Sequence, residues 1–223
     1  MRLILKARTD SKLPVIPLRQ LGIADFIPTD NLWTFEYGLD CHVLPVATNV
    51  KYRLQHNALG FRYKFRWRTE VTTSSSCIYD CDALENAEHL FWLCSVASFQ
   101  WDCYLLSFWG CLDGTITWSH ILLLSSLQLL LSNIKIFGAR AVLTVFNTIR
   151  WCDFRSLWLH RNKRLYNPET STNVLFVRHH CFTYMDLHLR KLKADAERRR
   201  WQGMLHFRLE ILPALSLTLP DPC

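Results

Sequence analysis

CIYDCDALENAEHLFWLC, residues 77–94, is the stretch around which the rest of the chain has to fold. Cys77 and Cys81 are separated by three residues, Cys81 and His89 by seven, and His89 and Cys94 by four. A close pair of thiols, a short excursion, then an imidazole and a third thiol make a tetrahedral ligand set. Zinc takes thiolate sulfur at about 2.3 Å and imidazole nitrogen at about 2.0–2.1 Å. Four protein ligands close such a site to water, so the expected Zn²⁺ is structural and no metal-bound nucleophile is implied. The stretch has no glycine, and its turns are expected at Asp80, Asp82 and Asn86. Cys41, Cys103, Cys111, Cys152, Cys181 and Cys223 lie scattered elsewhere, none of them inside the array.

Immediately upstream, Pro45 suits the first turn of a helix. Val46, Val50, Leu54 and Ala58 follow at steps of four and predict one apolar face, with Lys51, Arg53 and His56 turned away and Gly60 ending the helix. The run Phe61-Arg62-Tyr63-Lys64-Phe65-Arg66-Trp67-Arg68 then alternates aromatic and basic residues. Read literally, period two is a strand with one aromatic and one cationic face; a short helix or an extended arm fits the same eight residues. From position 41 to 69 there is no acidic residue, while Asp80, Asp82, Glu85 and Glu88 make the 77–94 stretch purely acidic. Three thiolates and a neutral imidazole on Zn²⁺ add one more negative unit. The finger would therefore repel phosphate, and the upstream segment is the candidate nucleic-acid interface. Lys51, Arg53, Arg62, Lys64, Arg66 and Arg68 would neutralise phosphates. Tyr63, Phe65 and Trp67 would stack on unpaired bases at about 1–3 kcal/mol each, unless these aromatics are core.

Downstream, His89 is expected to start a helix running past Cys94 to Leu106. Buried helices are expected over 118–131 and 138–163, the second stopped by Asn167-Pro168, and a last one over 171–212 that turns solvated and charged between Arg190 and Arg200. His179, His180 and Cys181 are adjacent, and neighbours on a helix point about 100° apart, so packing rather than ligation is expected of them. The fold expected is mostly α, a small Cys-Cys-His-Cys zinc hook inserted between helices and followed by a helical bundle. Its divisions are 1–43, an irregular arm or truncated start; 44–112, basic lead-in and zinc module; and 113–223, helical region.

Composition fits that outline. The chain has 223 residues, half of them hydrophobic, a formal charge of +7 and a pI near 9.0, which makes nucleic acid or another anionic surface a reasonable partner. Nine cysteines, an odd number with no secretory signal ahead of them, suit a reducing compartment, intracellular and either nuclear or cytoplasmic, better than a disulfide framework. Residues 114–134 carry no charge and are long enough to span a bilayer, but Thr115, His120, Gln128 and Asn133 among them favour a buried helix over a membrane span. There is no Tyr-x-Asp-Asp block, no Gly-rich phosphate loop and no serine elbow, so the chain by itself is not expected to be an enzyme.

KYRLQHNALG (51–60), RYKFRWR (62–68) and the array ending in HLFWLC (89–94) together resemble the zinc-binding domain that follows the reverse transcriptase of LINE-type, non-LTR retrotransposons. WLHRNKRLYN (158–167) is similar to the Trp-x-x-Arg-Asn helix that those proteins carry further downstream. The likeness covers roughly residues 44–167. It implies an accessory nucleic-acid-binding segment that assists a reverse transcriptase domain of the same polyprotein on RNA or DNA, with Trp158 a core anchor and Arg161-Asn162 a cap or a bridge to a neighbouring helix.

Overall fold

The computed structural model describes residues 36–39, 43, 45–65, 75–106, 112, 114–124, 127, 138–170 and 173–201. Five α-helices organise them: α1, Pro45–Gln55; α2, Ser95–Leu106; α3, Trp118–Leu122; α4, Ala139–Tyr166; and α5, Val174–Arg198. The molecule is mostly helical, and the Cys-Cys-His-Cys cluster lies between helices α1 and α2 in the chain. Among the described residues no helix is long and apolar enough to cross a membrane.

The hub is α4. Residues 141–154 are buried on every side, which a helix tolerates only when neighbours cover its whole circumference. Helices α1 and α5 pack against it most extensively, and α2 touches it as well. One hydrophobic cluster runs from Leu39 to Ala196 and so crosses the division expected near residue 112. Its centre is aromatic: Trp101 and Phe91 both pack on Phe154, Trp151 meets Phe154 edge-on, and Trp101 Nε1 donates to the Phe91 carbonyl at 2.8 Å. Such rings each contribute about 1.5–3 kcal/mol through burial. Trp158 is the core anchor expected of it, edge-on to Phe61.

Three helix ends depart from the sequence reading. The inward face of α1 is Ala47, Val50, Lys51 and Leu54, whereas Val46 is exposed, as is Ala58 beyond the helix end. The helix stops not at Gly60 but at Gln55, followed by Asn57, whose φ of 48° is left-handed. Ala58 N–H reaches the Arg53 carbonyl and Asn57 N–H the Leu54 carbonyl, the paired bonds of a Schellman end. The 118–131 helix ends early, at Leu122, where Leu123 turns extended. A buried polar network absorbs that break. Arg150 donates to the Ile121 and Leu122 carbonyls at 3.2 and 3.0 Å, and Glu36 accepts from Leu124 N–H and from Arg150 at 3.1 Å. In place of the expected 171–212 helix, α5 closes at Arg198, with Arg200 left-handed at φ 53°; residues 202–223 lie outside the described set.

Candidate metal centre

The first two ligand positions sit on a tight hairpin. Cys77 N–H donates to the Ala83 carbonyl (2.8 Å) and Glu85 N–H to the Ser75 carbonyl (2.9 Å), closing a loop with Cys77 and Cys81 inside it. Asp80 turns the corner at φ 60°, a conformation that aspartate tolerates better than most residues because its short carboxylate can bond locally. Tyr79 N–H approaches Cys77 Sγ at 3.5 Å, a peptide donor aimed at the sulfur.

The other two positions need an unusual turn. Asn86 opens it, its Oδ1 accepting from His89 N–H at 2.8 Å. On a regular α-helix His89 and Cys94, five residues apart, would point about 140° away from each other. Instead His89–Leu93 forms a π turn, closed by Cys94 N–H on the His89 carbonyl at 2.7 Å. The wider turn brings positions i and i+5 to the same side, and such turns concentrate at functional sites. The continuous helix expected from His89 to Leu106 is thereby divided: Cys94 is extended (ψ 139°) and α2 begins at Ser95.

These pieces bring all four ligand atoms within 4.8 Å of one another. Cys77 Sγ and Cys81 Sγ lie 3.8 and 3.7 Å from Cys94 Sγ. Sulfurs at two corners of a tetrahedron with bonds of about 2.3 Å would be about 3.8 Å apart. A disulfide would hold them at about 2.0 Å, and all three cysteines are free. His89 is buried, and its Nε2 has no hydrogen-bond partner among the described residues. The residues fit a four-coordinate metal ion. The hydrogen bond between Cys77 and Cys94 pulls the Cys94 thiol below its ordinary range and pushes Cys77 above it, burial adding to the rise. The proton they share must leave before a cation enters, so loading releases protons.

Helix α4 grips this hairpin. Tyr79 stacks on the His160 ring, with its hydroxyl 3.0 Å from Nδ1. Arg164 donates to the Ile78 carbonyl and to Asp80 Oδ2, both at 2.6 Å. Deepest lies the pair of Arg161 and Glu85, 3% and 0% exposed. Arg161 donates twice to Glu85 Oε1 and once to the Gly60 carbonyl at 3.2 Å, while Arg62 N–H donates to the same Oε1 at 2.9 Å. Arg161 thus bridges to the hairpin and the lead-in rather than to another helix. The sequence reading missed Tyr79, Glu85, His160 and Arg164; four acidic residues without a local cation were the available signal.

The nucleic-acid candidates scatter. Lys51 is fully buried, its Nζ donating to the Glu36 carbonyl at 2.6 Å and lying 5.0 Å from the centres of the Tyr37 and Trp151 rings, so it does not face a phosphate. Arg53 is exposed. Arg62–Phe65 forms a 3₁₀ turn instead of a strand. Lys64 is half-buried, bonded to the Asn57 and Leu59 carbonyls, and its pKa is lowered by burial. Arg62 is half-buried; Tyr63 and Phe65 are placed by backbone only, and Arg66, Trp67 and Arg68 lie outside the described residues. His179 and His180 are exposed, whereas Cys181 is buried against Tyr104, so the three do not converge.

Compared with protein-family models, curated proteins and solved structures, the chain finds no match.

Proposed function

We propose that this chain is a structural-zinc, nucleic-acid-binding accessory segment of a retroelement reverse transcriptase, without catalysis of its own. The observation that carries the metal half is the 3.7–3.8 Å spacing of the three sulfurs beside a buried imidazole. Three thiolates and one imidazole are a ligand set that zinc favours, and a closed set leaves no position for substrate. Bound zinc would supply only a rigid cross-link between hairpin and π turn. Support for the nucleic-acid half is the acid-free segment 41–69, which hangs from the hairpin through Arg62 N–H and Glu85.

With Lys51 buried and Lys64 tied down, Arg53, Arg62, Arg66 and Arg68 remain to meet phosphate. Four contacts on a single strand predict that log K falls with log salt at a slope of about −3. The test is retention of a single-stranded oligonucleotide by the zinc-loaded chain across a salt series, repeated with those four arginines changed to Gln. A slope near zero, or one unchanged in the variant, sinks the reading. A second reading, a protein-interaction module built on the same metal, draws on the exposed Leu84, Leu93 and Phe99 close in sequence to the ligands. It predicts no oligonucleotide retention at any salt.

A further inference from the structure

A half-open cleft of about 150 Å³ lies between α4 and α5, lined by Ser156, Leu159, His160 and Lys163 on one side and by Phe176, Val177 and His180 on the other. We propose that this cleft seats one pyrimidine nucleotide, the base against Phe176 and its phosphate at Lys163 and His180; the choice of ligand class rests on the nucleic-acid reading above. Three features argue for that occupant. A cavity of about 150 Å³ holds one benzene-sized ring, so a six-membered base fills it and a purine's second ring would project from the opening. Phe176 is half-exposed at the opening, and half-exposed aromatic faces are what unpaired bases stack on. The lining has no acidic residue, while Lys163 and His180 stand exposed at its edge with no ion pair or hydrogen bond among the described residues.

The His160 ring forms one wall of the cleft. Because His160 Nδ1 meets the Tyr79 hydroxyl, the cleft is fixed to the hairpin that carries Cys77 and Cys81. An apolar peptide side chain would use Leu159 and Phe176 but leave the Lys163 ammonium without a counterpart.

The experiment follows the imidazole resonances of His160 and His180 in the zinc-loaded full chain, titrated with UMP, uridine, AMP or inorganic phosphate. UMP is expected to shift both rings, uridine and AMP to bind more weakly, and phosphate alone to shift neither. Phe176→Ala is expected to weaken UMP by about fivefold to a hundredfold, the range that loss of one base–aromatic stack gives. Leu159→Trp, at a half-exposed position where the larger ring fills the cleft without disturbing the core, should abolish binding while thermal midpoint and zinc content hold. Lys163→Gln should bring UMP down to the affinity of uridine. Rings unmoved by millimolar UMP overturn the proposal, as does a blocked leucine amide that shifts them where UMP does not. If an oligonucleotide is retained through the arginines while UMP leaves the cleft untouched, this inference falls and the function above stands. If UMP is seated but no oligonucleotide is retained, the cleft stands and the function falls.

Discussion

Replacing Arg161 by Met tests whether the hairpin is held by α4 or merely lies near it. Methionine keeps most of the apolar stem and removes four charge-assisted bonds, two to Glu85 Oε1, one to the Gly60 carbonyl and one to Asn162 Oδ1. Glu85 would then be a fully buried carboxylate whose sole remaining bond among the described residues is from Arg62 N–H, since its Oε2 has no partner among them. Removing one member of a buried ion pair costs about 3–5 kcal/mol, because the other charge is left without compensation. With a urea dependence of about 2 kcal/mol/M, the unfolding midpoint should fall by about 2 M. Glu85→Gln should cost a similar amount, whereas the double variant, which strands no charge, should recover most of the loss. Anything that weakens docking of the hairpin also weakens what the hairpin binds, by linkage. The Arg161→Met chain should therefore hold zinc at least tenfold less tightly in a chelator competition. A cost below about 1 kcal/mol, with the single effects simply adding, would place this pair among exposed ion pairs and refute the docking argument.

Two further outcomes follow from other sites. Asp153 is fully buried, and desolvation raises its pKa well above the ordinary carboxylate range despite its contact with Cys181. The folded chain then holds a proton that the unfolded chain has released, so stability falls as pH rises from about 4 towards the folded pKa, by about 1.4 kcal/mol per pH unit. Asp153→Asn should flatten that slope in urea titrations between pH 5 and pH 7; equal slopes would contradict it. Chelation should lower the thermal midpoint of the wild-type chain and leave that of the Cys81→Ser/His89→Ala chain unchanged, with metal analysis giving one zinc and none respectively. Equal zinc in both would remove those residues from the ligand set.

What the sequence disclosed was what is local in it. The ligand set could be read because spacing within eighteen residues bounds where thiols and imidazole can go, and the turn at Asp80 followed from a stretch without glycine. Helix α4, expected over 138–163, spans Ala139–Tyr166, because its apolar residues and Asn167-Pro168 are neighbours in sequence. The π turn was hidden: a His and a Cys five apart look like one helical turn until their directions are counted. Lys51 was read as a surface cation because its partners are remote, Glu36 fifteen positions away and Trp151 a hundred. Local charge counting assigns every lysine to solvent unless something distant claims it.

The same limitation explains why the acidic hairpin looked self-repelling. Asp80 and Glu85, with a metal centre of one net negative charge, would be poorly placed in an isolated finger. In the folded chain Arg164 and Arg161 meet those two carboxylates, from positions 84 and 76 residues further on. Hairpin, lead-in and α4 are therefore not separable modules. Glu85 Oε1 accepts from the backbone of the basic segment and from the guanidinium of α4 at once, while its chain neighbours lead to Cys81 on one side and His89 on the other. A metal that fixes the hairpin fixes Glu85, and Glu85 in turn fixes where the segment of Arg62 leaves the body of the protein.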